Sequence, residues 1–307
     1  MAVVPRPIFR WKLHTRSLEL GKRTQIVGVL NITPDSFSDG GQFFSQVRAI
    51  EQAHRLLDEG ADILDIGGES TRPGERPQVS AQEEIDRVIP VMEAVLRQRP
   101  DAILSIDTYK AKTAHAAINA GAEIVNDVSG FLWDQDMPGT CARLACGVLL
   151  MHTRGNMAEW RAQPPIPPHE VLPMIARELE QRVQAALAAG VERKRLVLDP
   201  GLGFGKKFDE NYPVLANLNQ LHALGYPLLV GASRKSFLTR TVAPLRSHGG
   251  NDTSAFPMQH AALCATLAAH TAAILAGAHL IRVHDVAAGR EAAAIADAIC
   301  AAAKEED

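Results

Sequence analysis

At 307 residues the chain is long for an average domain and ordinary for one α/β barrel. Its 46% hydrophobic and 22% charged content excludes a disordered chain, and a formal net charge of −3 removes any global basic field for nucleic acid or an anionic membrane. Cys141, Cys146, Cys264 and Cys300 form no C-x-x-C pair, so reduced buried thiols fit better than a metal or disulfide framework.

In chain order, residues 1–9 hold prolines and no apolar h-region, so no signal peptide is expected and the default compartment is the cytoplasm. Residues 9–21 read as a hairpin closing the bottom of a barrel. Apolar, partly β-branched runs follow at 26–30, 63–66, 103–106, 124–125, 148–151, 196–198, 228–230 and 280–283. Each is uniformly apolar, as strands buried on both faces are. Helical spacing between them predicts helices at 46–59, 81–97, 112–119, 173–189 and 258–275. Gly60, Gly121, Gly190, Gly225 and Gly277 each follow such a stretch, as C-terminal caps should.

Strand–helix alternation repeated eight times predicts an α/β protein built as one closed (β/α)8 barrel. An open doubly wound sheet is the competitor, but the GLGFG run at 201–205 does not match G-x-G-x-x-G. The longest apolar stretch, 261–278, contains Thr266, His270 and Thr271 and suits a barrel helix better than a membrane span. Residues 164–168 form a proline turn cluster, and 240–256 read as a polar, mobile insertion. The expected organisation is a hairpin extension over 1–24, a barrel over 25–303 and a frayed tail over 304–307.

Barrel chemistry comes from strand C-termini and the loops after them. Polar residues end every apolar run: Asn31 and the following TPDSFSDGG; Glu69, Ser70, Thr71 and Arg72; Asp107; Asn126 and Asp127; His152; Asp199; Ser233, Arg234 and Lys235; Arg282, His284 and Asp285. A lone Asp after a strand is often a helix cap, and Asp127 and Asp285 are candidates for that role. Asp107, Asn126 and Asp199 suit the edge of a flat, nitrogen-rich heterocycle, since a carboxylate can accept two parallel N–H bonds. Arg72, Lys235, Arg282 and His284 suit phosphate oxygens. Arg282 and His284 alternate along one strand, so both point to the same side.

These residues lie in longer motifs: GVLNITPDSFSDGG from Gly28, DIGGESTRPG from Asp65, SIDT from Ser105, NDVSG from Asn126, Met151-His152, LDPGLGFGK from Leu198, GASRKSF from Gly231 and IRVHDV from Ile281. In this order, over about nine-tenths of the chain, the sequence resembles the dihydropteroate synthase family of pterin-binding barrels. The resemblance implies a transferase that condenses (7,8-dihydropterin-6-yl)methyl diphosphate with 4-aminobenzoate, releasing diphosphate, in folate biosynthesis. It implies a pterin ring held by Asp107, Asn126, Asp199 and Lys235, with Met151 and Phe204 as apolar pocket neighbours. Thr71, Arg72, Arg282 and His284 would meet the diphosphate, and Asn31 a Mg2+ ion. Phe37, Thr71, Pro73 and Ser233 would line the 4-aminobenzoate pocket, with Asp35 beside the reacting methylene. It further implies lid loops at 33–44 and 70–77, a homodimer, and a site of the kind sulfonamides occupy. Two other functions stay open: a methyltetrahydrofolate:corrinoid methyltransferase sharing the pterin pocket, and a catalytically silent pterin-binding paralogue.

Overall fold

The eight apolar runs become eight parallel strands because each can bury both faces, one against helices and one in the lumen. The computed structural model describes residues 3–32, 41–70, 79–246 and 258–303, with only the backbone described at 41–45 and Arg246. In chain order the elements are β1 (Phe9–Lys12), β2 (Ser17–Leu20), β3 (Gln25–Asn31), α1 (Gly41–Asp58), β4 (Ile63–Gly67), α2 (Ala81–Gln98), β5 (Leu104–Asp107), α3 (Ala111–Asn119), β6 (Ile124–Asp127) and α4 (Met137–Leu144). They continue with β7 (Gly147–Met151), α5 (Pro168–Ala188), β8 (Leu196–Asp199), α6 (Asn211–Ala216), β9 (Leu229–Val230), α7 (Ser236–Val242), α8 (Met258–Leu275), β10 (Leu280–Val283) and α9 (Val286–Ala302).

The sheet runs β8-β7-β6-β5-β4-β3-β10-β9. A parallel bridge between Leu198 and Leu228 joins its two ends, and Leu198 N donates to the Pro227 carbonyl at 3.0 Å. The ring is thereby closed.

Alternation then sorts the side chains. Ile26, Leu30, Leu64, Ile66, Ile106 and Val125 point outward into the main core under the helices. Val27, Ile63, Ile124, Leu149, Val197, Leu229 and Leu280, at the strand N-termini, point inward and meet Trp11, Leu13 and Leu20. The antiparallel pair β1–β2 supplies these last three from β1, β2 and the turn between them. Trp11 is 1% exposed and its Nε1 donates to the Arg195 carbonyl at 2.8 Å. The lumen therefore has an apolar floor.

Helix ends show why the glycines recur. Gly60 has φ +98°; its N–H bonds the Leu57 carbonyl, and Ala61 N–H reaches Leu56. That is the Schellman pairing, which needs a left-handed residue. The same two bonds recur around Gly121, Gly190 and Gly277.

Several expectations are corrected. Helix α1 starts at Gly41 rather than at 46, so the last part of the expected 33–44 lid is helical. Helix α5 starts at Pro168, the end of the proline cluster, because proline is tolerated at a first helical position. Residues 240–242 close α7 and a 3-10 turn follows to Arg246, replacing the first part of the expected insertion. The mobile loops expected at 33–40, 71–77 and 247–256, and the 304–307 tail, lie outside the described residues.

Helix α8 is long and apolar enough to cross a membrane by length and composition. Its polar residues have barrel roles instead: His270 Nε2 accepts from Ala232 N at 3.1 Å and Thr266 Oγ1 from Arg234 N at 3.0 Å. It packs between α7 and α9.

Gly190→Ala isolates the cap effect. The nearest atom to an added Cβ is Ala142 Cβ at 3.6 Å, an ordinary contact, while φ is +98°. Backbone strain alone then remains, about 1–2 kcal/mol. Urea denaturation should show a lower midpoint at unchanged slope; an unchanged midpoint would contradict the strain argument.

Candidate active site

Beyond the floor, the same inward parity turns polar. Asn31, Asp65, Asp107, Asn126, Met151, Asp199 and Arg282 all fall on the inward set, at or near strand C-termini. All but Asp65, which is fully buried behind them, line a cavity of about 410 Å³. Asn31, Asp107, Asn126, Met151, Asp199, Phe204, Ser233, Lys235, Arg282 and His284 all line it. Asp35, Phe37, Thr71, Arg72 and Pro73 lie outside the described residues.

The centre of the site is a charge network. Arg282 donates through Nε to Asp65 Oδ2 at 2.6 Å and through Nη2 to Asp107 Oδ2 at 2.7 Å. The sequence grouped Arg282 with free phosphate-binding cations, whereas two of its N–H groups are committed to carboxylates. Burial opposes the Arg282 charge, but Asp65 and Asp107 hold the guanidinium above its ordinary value. Burial pushes the Asp107 carboxyl up to about 7 against the pull of Arg282.

Asp199 ends β8. Its Oδ1 accepts from Gly201 N at 2.7 Å, and burial raises its pKa to about 6. Lys235 Nζ sits 3.8 Å from the centre of the Phe204 ring, a cation–π contact. Burial, with Arg282 adding to it, lowers Lys235 to about 8. His284 Nδ1 lies 2.9 Å from Ser233 Oγ, which also accepts from His284 N at 3.2 Å.

The two suspected caps divide. Asp127 accepts from Ser129 N at 2.7 Å and Phe131 N at 2.9 Å, so it shapes the loop after β6. Asp285 precedes α9 without a side-chain capping bond and instead takes a fork from Arg234, at 3.1 and 2.7 Å.

Sequence reasoning missed a buried support behind the cavity. Lys206 Nζ donates to the Gly201 carbonyl at 2.7 Å, the Phe204 carbonyl at 3.4 Å and His152 Nδ1 at 2.9 Å. Where Lys206 donates to Nδ1, His152 carries its proton on Nε2, 3.1 Å from Glu178. Burial holds both Lys206 and His152 below their ordinary values. Arg182 donates to the Met151 and Thr153 carbonyls, each at 2.6 Å. These cations fix the ends of β7 and the loop after β8, which carry Met151 and Phe204. Trp160 was also missed: it lines the cavity, packed edge-on against Phe204 at 5.2 Å. The only sequence signal for Lys206 was its place at the end of the LDPGLGFGK run.

Among the described residues no group of three His, Cys, Asp or Glu could hold a metal ion. Asn31 offers one amide oxygen at the cavity. That donor set fits a Mg2+ held mainly by phosphate and water.

Fold and site together define a small-molecule barrel enzyme whose mouth offers buried acceptors for N–H groups beside fixed cations. Comparison with known proteins narrows this. The pterin binding enzyme family profile matches residues 27–284. A dihydropteroate synthase from Synechocystis is 40% identical over 91% of this chain and 91% of its own length. The Xanthomonas albilineans dihydropteroate synthase solved with 4-aminobenzoic acid is 39% identical with a TM-score of 0.83, covering 95% of this chain and 98% of that one. The structure of that enzyme in complex with 7,8-dihydropteroate is 37% identical here with a TM-score of 0.79, covering 94% and 98%. The chain belongs to the pterin binding enzyme family and, within it, to the dihydropteroate synthases, which are transferases of a pterin-methyl group.

The buried support has a measurable weight. Lys206→Met should strip a donor from two carbonyls and His152, costing roughly 2–4 kcal/mol. Urea unfolding of the variant checks this, and a midpoint matching the parent would show that the ammonium is dispensable.

Proposed function

We propose that the deep half of the cavity takes the pterin ring and the mouth takes the diphosphate and 4-aminobenzoate, so that the chain makes 7,8-dihydropteroate by displacing diphosphate. The observation that carries the reading is the Asp199–Lys235–Asn126 set around one buried cavity. Asp199 would accept the ring's amino and ring N–H groups on its two oxygens, Oδ1 also keeping its bond from Gly201 N. Asn126 and Lys235 would meet the other hydrogen-bonding positions of the ring, with Met151 and Phe204 against its faces. Asp107 would act through its bond to Arg282 and by accepting a hydrogen bond from a ring N–H.

His284, Ser233 and Arg282, whose Nη1 makes no hydrogen bond among the described residues, line the same cavity and would meet the diphosphate, and Thr71 and Arg72 would join them. A bound Mg2+, held by Asn31 and the diphosphate, would neutralise charge on the leaving group. The C–O bond to diphosphate breaks and a C–N bond to the aryl amine forms. The amine then sheds one proton to diphosphate or solvent. Asp35 would stabilise the electron-poor methylene, while Phe37, Thr71 and Pro73 would cover the aminobenzoate. A neutral aryl amine is already nucleophilic, so the residues supply position and electrostatics rather than a strong base.

We also propose a cytoplasmic homodimer. None of the four cysteines is in a disulfide, which suits a reducing compartment. An apolar groove of about 420 Å³ between α6, α7 and α8, lined by Tyr212, Leu215, Leu238, Val242, Ala265 and Ala269, suits a second copy.

The reaction is tested by supplying the pterin diphosphate and 4-aminobenzoate and measuring diphosphate and dihydropteroate together. Equal amounts of both are expected with Mg2+, and EDTA should abolish them. Turnover unaffected by EDTA would remove the metal from the scheme, and no turnover with Mg2+ would remove the reading.

Pterin binding should also depend on pH through Asp199. Ring N–H donors favour the ionised carboxylate, and the carboxyl sits near 6 through burial. Affinity is thus full above that value and falls as pH drops through it, approaching about tenfold per pH unit. Calorimetry with 6-hydroxymethylpterin between pH 5 and 8 on the parent and on Asp199→Asn checks this. The variant should bind weakly and lose the step near pH 6, leaving only the dependence that Asp107 adds near 7; a parent-like profile in the variant would clear Asp199 of the role.

A further inference from the structure

Asp65 lies on β4 with its side chain in the lumen, between Val29 and Ser105 on the neighbouring strands. It is 0% exposed, so no ligand in the cavity can reach it, whereas Asn126 is 6% exposed. A carboxylate held that deep is costly unless its bonds are worth keeping. Its bonds are specific. Oδ2 accepts from Arg282 Nε at 2.6 Å and from Asn126 Nδ2 at 2.8 Å. Oδ1 is buried and makes no hydrogen bond among the described residues. Unlike Asp127, it holds no loop backbone among the described residues.

Both partners need orienting. An asparagine amide has two faces, and rotation exchanges an acceptor for two donors. Tying Nδ2 to Asp65 leaves the Asn126 oxygen for the cavity. An arginine has four torsions, and here Asp65 from β4 and Asp107 from β5 pin Nε and Nη2. Nη1 makes no hydrogen bond among the described residues, and it remains for a ligand.

We propose that Asp65 is a positioning residue of the pterin pocket: without touching substrate, it sets the Asn126 amide and the Arg282 guanidinium in the orientations that a ligand meets. The proposal rests on the pterin reading above. It differs from a plain core role, because a residue that merely filled space would affect folding and both substrates alike.

Asp65→Asn keeps the shape, but it removes the charge that holds Arg282 and puts an amino group without an acceptor where Oδ1 lay, so both bonds to the remaining oxygen weaken. The expected kinetic result is a KM for the pterin diphosphate raised about tenfold or more, with the 4-aminobenzoate KM within about twofold. In a double-mutant cycle, the effect of Asn126→Ala should shrink several-fold in the Asp65→Asn background. Equal rises in both KM values, or additive effects in the cycle, would overturn the proposal. Should Asp65→Asn not fold, arginine-labelled NMR of the unaltered protein decides, with Arg282→Lys assigning the signal. An Arg282 Nε–H protected from solvent exchange before ligand is added supports the proposal, and a rapidly exchanging one overturns it. Calorimetry with 6-hydroxymethylpterin separates the layers. Failure of the parent to bind sinks the pocket reading and this inference with it. Equal binding by the parent and by Asp65→Asn sinks the inference alone.

Discussion

A side chain on a strand can point only inward or outward, and in a closed barrel the inward set shares one narrow lumen. Everything in this molecule depends on how that set is graded along the strands. Near the N-termini it is apolar and sealed by Trp11, Leu13 and Leu20. Two residues further on it becomes Asp65 and Ser105, and at the C-termini it becomes Asn31, Asp107, Asn126, Met151 and Asp199. One strand period thus separates fold-making residues from ligand-facing ones. Slipping any strand by one residue would exchange its site residue for a core residue, so register and function cannot be altered separately.

The polar end of that gradient is expensive. Asp65, Asp107 and Asp199 share a small volume with Arg282 and Lys235, and burial works against all of their charges. Keeping Asp199 ionised at neutral pH costs the fold roughly 3 kcal/mol, which N–H donors of a bound ring would offset. Supports away from the cavity make this tolerable. Lys206 and Arg182 bind carbonyls at the ends of β7 and after β8, and α8 holds the loop after β9 through Thr266 and His270. The main core lies outside the sheet, where Ile66, Val88, Met92 and Leu104 are fully buried and carry no polar duty.

What was legible in the sequence follows from range. Strand positions, the hairpin and the left-handed glycines depend on neighbours within a few residues, and these were readable. Short helices such as α4 and α6 have too few turns for a clear period. Arg282 was visible as a cation, but its partners stand 217 and 175 residues away, so its commitment to two carboxylates was not. Asp65 hid for a related reason: a mid-strand aspartate looks like a motif letter until its neighbours across the lumen are known. Trp160 belongs to a loop without periodicity, and only its packing on Phe204 brings it to the cavity.

The apolar floor also dictates traffic. A lumen sealed at one end is a cul-de-sac, and the deepest occupant must arrive before anything seated nearer the door. The flat heterocycle would therefore enter first, and the aryl amine would wait its turn behind it. The joined product would back out through the same opening, aryl end leading, after the diphosphate has cleared the way. A compound lodged only at the door would then act as a cork, trapping whatever already lies beneath it.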